Sequence, residues 1–200
     1  MQRVVAMGVR IKLDTKVTDI LETMKQEEAD AAFLAIGANI SKRAYIPAGD
    51  SSRIVDAVSV LRSMEGEAKP MLGRRVVVYG GGNTAIDVAR TVRRLGAEPL
   101  VVYRRTRDKM PAHDFELEEA LQEGVMVKWL STIKQAKDKS ITIERMELDA
   151  QGQPQSTGEF ETLDADSLVL ALGQDVDQSL LDGVPGLEMR KSSVKVGPDL

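Results

Sequence analysis

Three glycines, Gly80-Gly81-Gly82, stand directly after the apolar run Val76-Val77-Val78-Tyr79 and are followed by Asn83-Thr84-Ala85. Residues of this kind at this spacing suit phosphate binding rather than proton transfer. In the pattern G-x-G-x-x-G/A the first glycine permits a tight turn and the second lets a pyrophosphate reach the backbone. The small last position lets a helix close on the preceding strand. Gly80, Gly82 and Ala85 fill those places, with Gly81, Asn83 and Thr84 between them.

About twenty residues further on, a dinucleotide site either accepts from a ribose 2′-hydroxyl through a carboxylate or holds a 2′-phosphate through cations. Here the chain reads Tyr103-Arg104-Arg105-Thr106-Arg107. Guanidinium groups take a phosphate through paired, charge-assisted hydrogen bonds, whereas a carboxylate would repel it. Arg104 and Arg105 therefore favour NADP(H) over NAD(H), the alternative being a pair of solvated loop residues. From Arg90 to Lys109 there are seven basic and two acidic residues in a chain of net charge −4, so the positive field is local. Arg93 and Arg94 fall at the end of the intervening helix, where cations complement the dipole.

These side chains need a scaffold. Arg74 to Tyr79 reads as a buried parallel strand, and Ala85, Val88, Ala89, Val92 and Leu95 form one apolar stripe on a helix from Asn83 to Leu95, closed by Gly96. Pro99 to Tyr103 is a second strand, so strand, glycine turn, helix and strand follow within about thirty residues, as the fingerprint requires. Asp114 to Glu123 predicts a further helix, and Val125 to Leu130 a third strand. Ile141 to Leu148 and Glu159 to Leu163 predict strands separated by a turn at 149–155, a β-meander in place of a crossover helix.

Outside this region the pattern is weaker. Gln2 to Gly8 reads as the tail of a helix. Val9 to Val17 alternates like a half-buried strand, Thr18 to Lys25 reads as a short polar helix, and Ala31 to Gly37 as a buried strand matching Ser167 to Gly173. Ile54 to Met64 is expected to be one helix, and 46–52 and 65–73 are turn-rich, the latter a domain boundary. Ser193 to Val196 is a last strand candidate.

A hydrophobic content of 42% is ample for a core, and net acidity argues against general nucleic-acid binding. No apolar run is long enough to span a membrane, and the cytoplasm is the default. Without cysteine the chain carries no disulfide, redox dithiol or iron–sulfur ligand set. His113, the single histidine, has no triad or metal partner in its surroundings and reads as a neighbour of a helix cap. A methyltransferase would also use a glycine turn, but it calls for an acidic residue where Arg104-Arg105 stands.

Gly80 to Arg90, Tyr103-Arg104-Arg105, Met110-Pro111-Ala112, Glu123-Gly124-Val125 and Ala171-Leu172-Gly173-Gln174 together resemble the small (beta) subunit of NADPH-dependent glutamate synthase and related pyridine nucleotide–flavin oxidoreductases. The resemblance implies an α/β, Rossmann-like three-layer NADP(H)-binding domain at 71–165, flanked by partial segments of a discontinuous FAD-binding domain. Residues 1–70 would be one such segment with its linker, and 166–200 the return toward the FAD domain. The chain would be the central piece of a longer or truncated protein, and FAD would belong to the intact one.

By the same resemblance, hydride passes from NADPH to FAD and on to an electron-accepting subunit or iron–sulfur domain, with no side chain acting as acid or base. Asp87 matches an acidic position near the nicotinamide carboxamide in related reductases; the alternative is a solvated helix carboxylate. Gly173 and Gln174 match the return to the flavin domain, where a glycine admits the dinucleotide, Gln174 alternatively capping a strand end. Ile36 stands where the family commonly has threonine. The competing functional reading is a dinucleotide-binding module without turnover of its own.

Overall fold

The computed structural model describes residues 2–38, 40–42, 44–48, 53–64, 66, 69–190 and 193–197. Contacts divide the chain into Asn39–Asp175 and a smaller unit made of Met1–Ala38 with Val176–Leu200.

The smaller unit begins with helices α1 (Gln2–Ala6) and α2 (Ile20–Gln26), the latter capped by Asp19, whose Oδ1 accepts from the Glu22 amide at 2.9 Å. No described residue of this unit is buried. The strands expected at Val9–Val17 and Ala31–Gly37 are absent, and Phe33 is 94% exposed. A period-two or apolar run becomes a strand only where a neighbouring edge takes its hydrogen bonds and a core takes its apolar face. The described residues of this unit supply neither.

In the larger unit, β1 (Ile40–Ser41) precedes β2 (Ile54–Asp56), which runs straight into α3 (Ala57–Ser63). The single helix expected from Ile54 to Met64 is thus divided at Asp56. The Asp56 carboxylate accepts from the Ser59 amide at 2.9 Å and caps α3, leaving the β-branched pair Ile54-Val55 to pair in parallel with Leu168-Val169. The turn residues 49–52 of the expected connection, and 65, 67 and 68 of the expected boundary, lie outside the described residues.

Then come β3 (Arg75–Tyr79), α4 (Asn83–Arg94), β4 (Glu98–Val102), α5 (Asp114–Gln122) and β5 (Met126–Lys128). They are followed by β6 (Ser131–Lys137), β7 (Ser140–Leu148) and β8 (Pro154–Asp164), and by β9 (Ser167–Leu170) and β10 (Gln174–Asp175). In the smaller unit β11 (Met189–Arg190) and β12 (Ser193–Val194) close the order as an antiparallel pair.

A parallel sheet of order β2-β9-β3-β4-β5 forms the middle layer. Side chains alternate across it, as the two-residue period of a strand dictates. Val76, Val78, Val101 and Val169 point to the helices, where they pack with Ala85, Ile86, Val88 and Val92 of α4 and Leu117 of α5. Val77, Val102, Leu168 and Leu170 point the other way, into Ile133, Ala136, Ile141 and Ile143 of an antiparallel sheet of order β6-β7-β8. Being covered on both faces is why β3 and β9 read as unbroken apolar runs. The meander carries the chain from β5 at the edge back to β9 in the interior of the sheet, and two of the five parallel strands, β2 and β9, lie outside 71–165.

β6 was not expected. Its inward residues, Ile133 and Ala136, are three apart because the register shifts between Ile133 and Gln135, so a bulge hides the alternation. β8 starts five residues earlier than its apolar pattern suggests, because an outer strand of the meander is mostly solvated.

Candidate functional site

The glycine turn sits where β3 ends and α4 begins, and each glycine has its own physical reason. Gly80 has φ +150°, and a Cβ built on it would stand 2.1 Å from the Ala171 carbonyl oxygen, since β9 continues alongside through an Ala171 amide bond to the Tyr79 carbonyl at 2.8 Å. A Cβ on Gly81 would meet the Tyr103 ring at 2.4 Å. A Cβ on Gly82 would meet nothing within 4 Å. Gly80 and Gly81 are thus glycine for the fold, whereas Gly82, the N-cap of α4, leaves open space in front of a helix N-terminus.

That space is a cleft of about 650 Å³, lined by Gly80, Gly81, Gly82 and Thr84 from the turn, Tyr103, Arg104, Arg105, Lys109 and Pro111 beyond β4, and Ala171 to Gly173 after β9. Tyr79, Lys42 and Ala44 complete the lining. It faces the carboxyl ends of parallel strands on either side of the first strand of the motif, where the chain's order through the sheet reverses, the usual ligand crevice of such a sheet. Four lining residues are cationic and, among the described residues, none is acidic.

The arginines divide sharply. Arg90 and Arg94 pair with Glu123 at 2.6 and 2.7 Å, and Arg107 pairs with Glu118. Among the described residues Arg104 and Arg105 enter no ion pair. Arg104 is exposed; Arg105 is half-buried, donates from Nη2 to Gln153 Oε1 at 2.9 Å, and keeps a buried Nε without a protein acceptor. Tyr103 between turn and arginines donates its hydroxyl to the Lys109 carbonyl at 2.6 Å and sets its ring edge-on to Trp129. Burial pushes its phenol pKa up, against the pull of Arg105 and Arg104.

The other sequence-singled residues are distributed unevenly. Thr84 and Gly173 line the cleft, Gly173 at φ +102°. Ala85 is fully buried under the helix. The Asn83 side chain accepts from the His113 amide at 3.0 Å and, with Ala112 donating to the Gly81 carbonyl at 3.0 Å, pins the loop after β4 onto the glycine turn. Asp87 is exposed and Gln174 pairs with Ser41 in β10; neither belongs to the lining. His113 is exposed and stacks on Phe115, with no side-chain hydrogen bond at its cap. Sequence reasoning missed Lys42, whose amide donates to the Gly173 carbonyl at 3.0 Å and whose ammonium pairs with Asp175 at 3.1 Å. No local pattern marks it, because the contact joins segments about 130 residues apart.

Residues 2–200 match the family described as pyridine nucleotide-disulphide oxidoreductases. The chain belongs to that family. Among pyridine nucleotide-disulphide oxidoreductases and their relatives, it is 34% identical over 197 residues to the beta subunit of the NADP(+)-dependent formate dehydrogenase of Moorella thermoacetica, covering 89% of this chain and 27% of the relative. It is 31% identical over 209 residues to a putative glutamate synthase [NADPH] small chain of Cereibacter sphaeroides, covering 92% and 50%. In fold it is similar to Mycobacterium tuberculosis FprA, solved in complex with NADPH, with a TM-score of 0.66 at 20% identity over 88% of this chain and 55% of that one. The chain spans a quarter to a half of the two curated relatives' length. Despite the family's name, these 200 residues contain no cysteine, so no disulfide relay lies within them. Among the described residues no helix is long and apolar enough to cross a membrane.

Proposed function

We propose that this chain is the NADP(H)-binding part of an FAD-dependent oxidoreductase that passes hydride from NADPH to flavin. One observation carries the reading: Arg104 and Arg105 border a cleft at the glycine turn with no acidic residue among the described ones that line it, while the neighbouring arginines 90, 94 and 107 are committed to glutamates. The unpartnered buried Nε of Arg105 and the open space before Gly82 suit a phosphate-bearing dinucleotide.

When bound, the nicotinamide supplies the hydride at C4 and the flavin accepts it at N5, so the chain need furnish no acid or base. Gly82 and Thr84 at the start of α4 hold the pyrophosphate against the positive end of the helix dipole. Arg104 and Arg105 bind the 2′-phosphate. Gly173, with no side chain, leaves the far wall open for the nicotinamide half, and Asn83 orients the loop at 110–113 rather than the cofactor. Asp87 and Gln174 lie outside the lining, and a role for them toward the nicotinamide rests on the family resemblance alone.

Residues 1–70 and 166–200, apart from β2 and β9, which the parallel sheet takes up, are assigned to the flavin-binding part of a longer protein. Within the family the reading extends to the glutamate synthase small-subunit type, with an electron-accepting subunit or iron–sulfur domain as partner in the cytoplasm. The named relatives support partnership, being called a beta subunit and a small chain. The second reading, a binding module without turnover, rests on the share of each relative that the chain spans. Mixing the chain, and separately its full-length parent, with FAD and then NADPH under anaerobic conditions distinguishes them. Bleaching of bound flavin by the parent supports the oxidoreductase, and flavin reduction absent from both overturns it.

A further inference from the structure

The meander does more than return the chain to β9. Its hairpin turn between β7 and β8 reaches the half-buried guanidinium beside the cleft, through the 2.9 Å bond from Arg105 Nη2 to Gln153 Oε1. A second tether comes from the same layer: the Arg105 carbonyl accepts from the Leu130 amide at 3.2 Å, and the Leu130 carbonyl accepts from the Met146 amide of β7 at 2.7 Å. The meander therefore holds the side chain of Arg105 directly, and its backbone through Leu130, the residue just before β6.

The turn that carries Gln153 is itself built. Asp149 Oδ1 accepts from the Gln151 and Gln153 amides at 2.9 and 2.8 Å, and its Oδ2 accepts from Gln155 Nε2 at 2.9 Å. The Asp149 amide donates to the Gln153 carbonyl at 3.0 Å, and Gly152 takes φ +72°. Such an Asx-closed turn holds its last residue in one place.

The chemical type of the tether matters. Arginine offers five donors, and an amide oxygen occupies one of them without cancelling the charge. Two cations of this sheet sit on carboxylates, Lys134 on Glu144 at 2.7 Å and Arg145 on Glu159 at 3.2 Å. At Arg105 it presents a neutral glutamine. A carboxylate there would compete with a phosphate for the same guanidinium.

We infer that Gln153 is a positioning residue for dinucleotide selectivity, presetting Arg105 for a 2′-phosphate while leaving its charge available. The inference rests on the phosphate-clamp reading of Arg104 and Arg105. It extends specificity to a turn some fifty residues away in sequence.

The test compares wild type, Gln153→Ala, Gln153→Glu, Arg105→Ala and the double variant R105A/Q153A, each titrated by calorimetry with NADPH, NADH and 2′,5′-ADP. Gln153→Ala is expected to weaken NADPH and 2′,5′-ADP about three- to tenfold, as for loss of one hydrogen bond to a charged partner, and to leave NADH unchanged. Gln153→Glu should weaken them further. In the Arg105→Ala background, removing Gln153 should have no additional effect, which a merely structural role would not produce. If Arg105→Ala abolishes the NADPH preference but Gln153→Ala leaves it intact, the inference fails and the clamp stands. If wild type binds NADPH and NADH alike, both fail. Equal losses for all three ligands on replacing Gln153 would also overturn the inference.

Discussion

Gly80 and Ala171 are packed so closely that a Cβ on Gly80 would lie 2.1 Å from the Ala171 carbonyl oxygen. This contact joins the glycine turn to the end of β9, and it separates two glycines that one motif makes look alike. Gly80→Ala forces backbone apart at φ +150° and should lower unfolding stability by about 2–4 kcal/mol. Gly82→Ala, with open space around it, should change stability by less than about 1 kcal/mol yet weaken dinucleotide binding roughly tenfold. Urea unfolding and calorimetric titration of the two variants check this; the reverse pattern would mean the cleft is not the phosphate site.

Asp56 carries both the division between β2 and α3 and a link to β1. Its carboxylate accepts from the Ser59 amide at 2.9 Å and from the Ser41 hydroxyl at 2.8 Å. Burial pushes its pKa up, but the hydrogen bonds from Ser59 and Ser41 outweigh it and hold the group below its usual value. Asp56→Ala should cost about 1–2 kcal/mol in urea unfolding, and Asp56→Asn, still a good cap, clearly less. Equal losses would mean that charge rather than capping matters there.

The ion network between α4 and α5 predicts an acid limit. Glu123 is held down to about 2 from an ordinary 4.5 by hydrogen bonds from Arg90 and then Arg94, against the opposing effect of burial. A depressed native pKa means the unfolded chain takes up the proton first as pH falls. The stabilisation is therefore complete above about pH 5 and is lost progressively between about pH 4.5 and 2. Urea midpoints measured from pH 7 to pH 2 should converge for wild type and Glu123→Gln at the acid end and separate toward neutrality. A constant difference would remove the linkage.

Much of the site was legible because its signals are local. Val76 to Val78, the three glycines, the α4 stripe and Arg104-Arg105 each declare themselves within a few residues, and the parallel sheet with helices on one face and a meander on the other follows from them. What escaped depended on distant partners. Val9–Val17 and Ala31–Gly37 carry strand patterns but find no core among the described residues of their unit. The bulge after Ile133 breaks the period that would have revealed β6. Lys42 enters the cleft lining and Gln153 reaches Arg105 only through tertiary contacts. Asp56 had a readable signal, a capping carboxylate three residues before Ser59, outweighed by the helical spacing around it.

Arg104 and Arg105 are proposed to read the 2′-phosphate of the dinucleotide. Calorimetric titration of the chain with NADPH and NADH, repeated on the variant with both arginines replaced by alanine, decides whether they do. Wild type should prefer NADPH, and the double variant should lose about 2–4 kcal/mol of NADPH binding while NADH binding stays nearly unchanged. Equal binding of the two dinucleotides by wild type, or equal losses in the variant, would contradict that role.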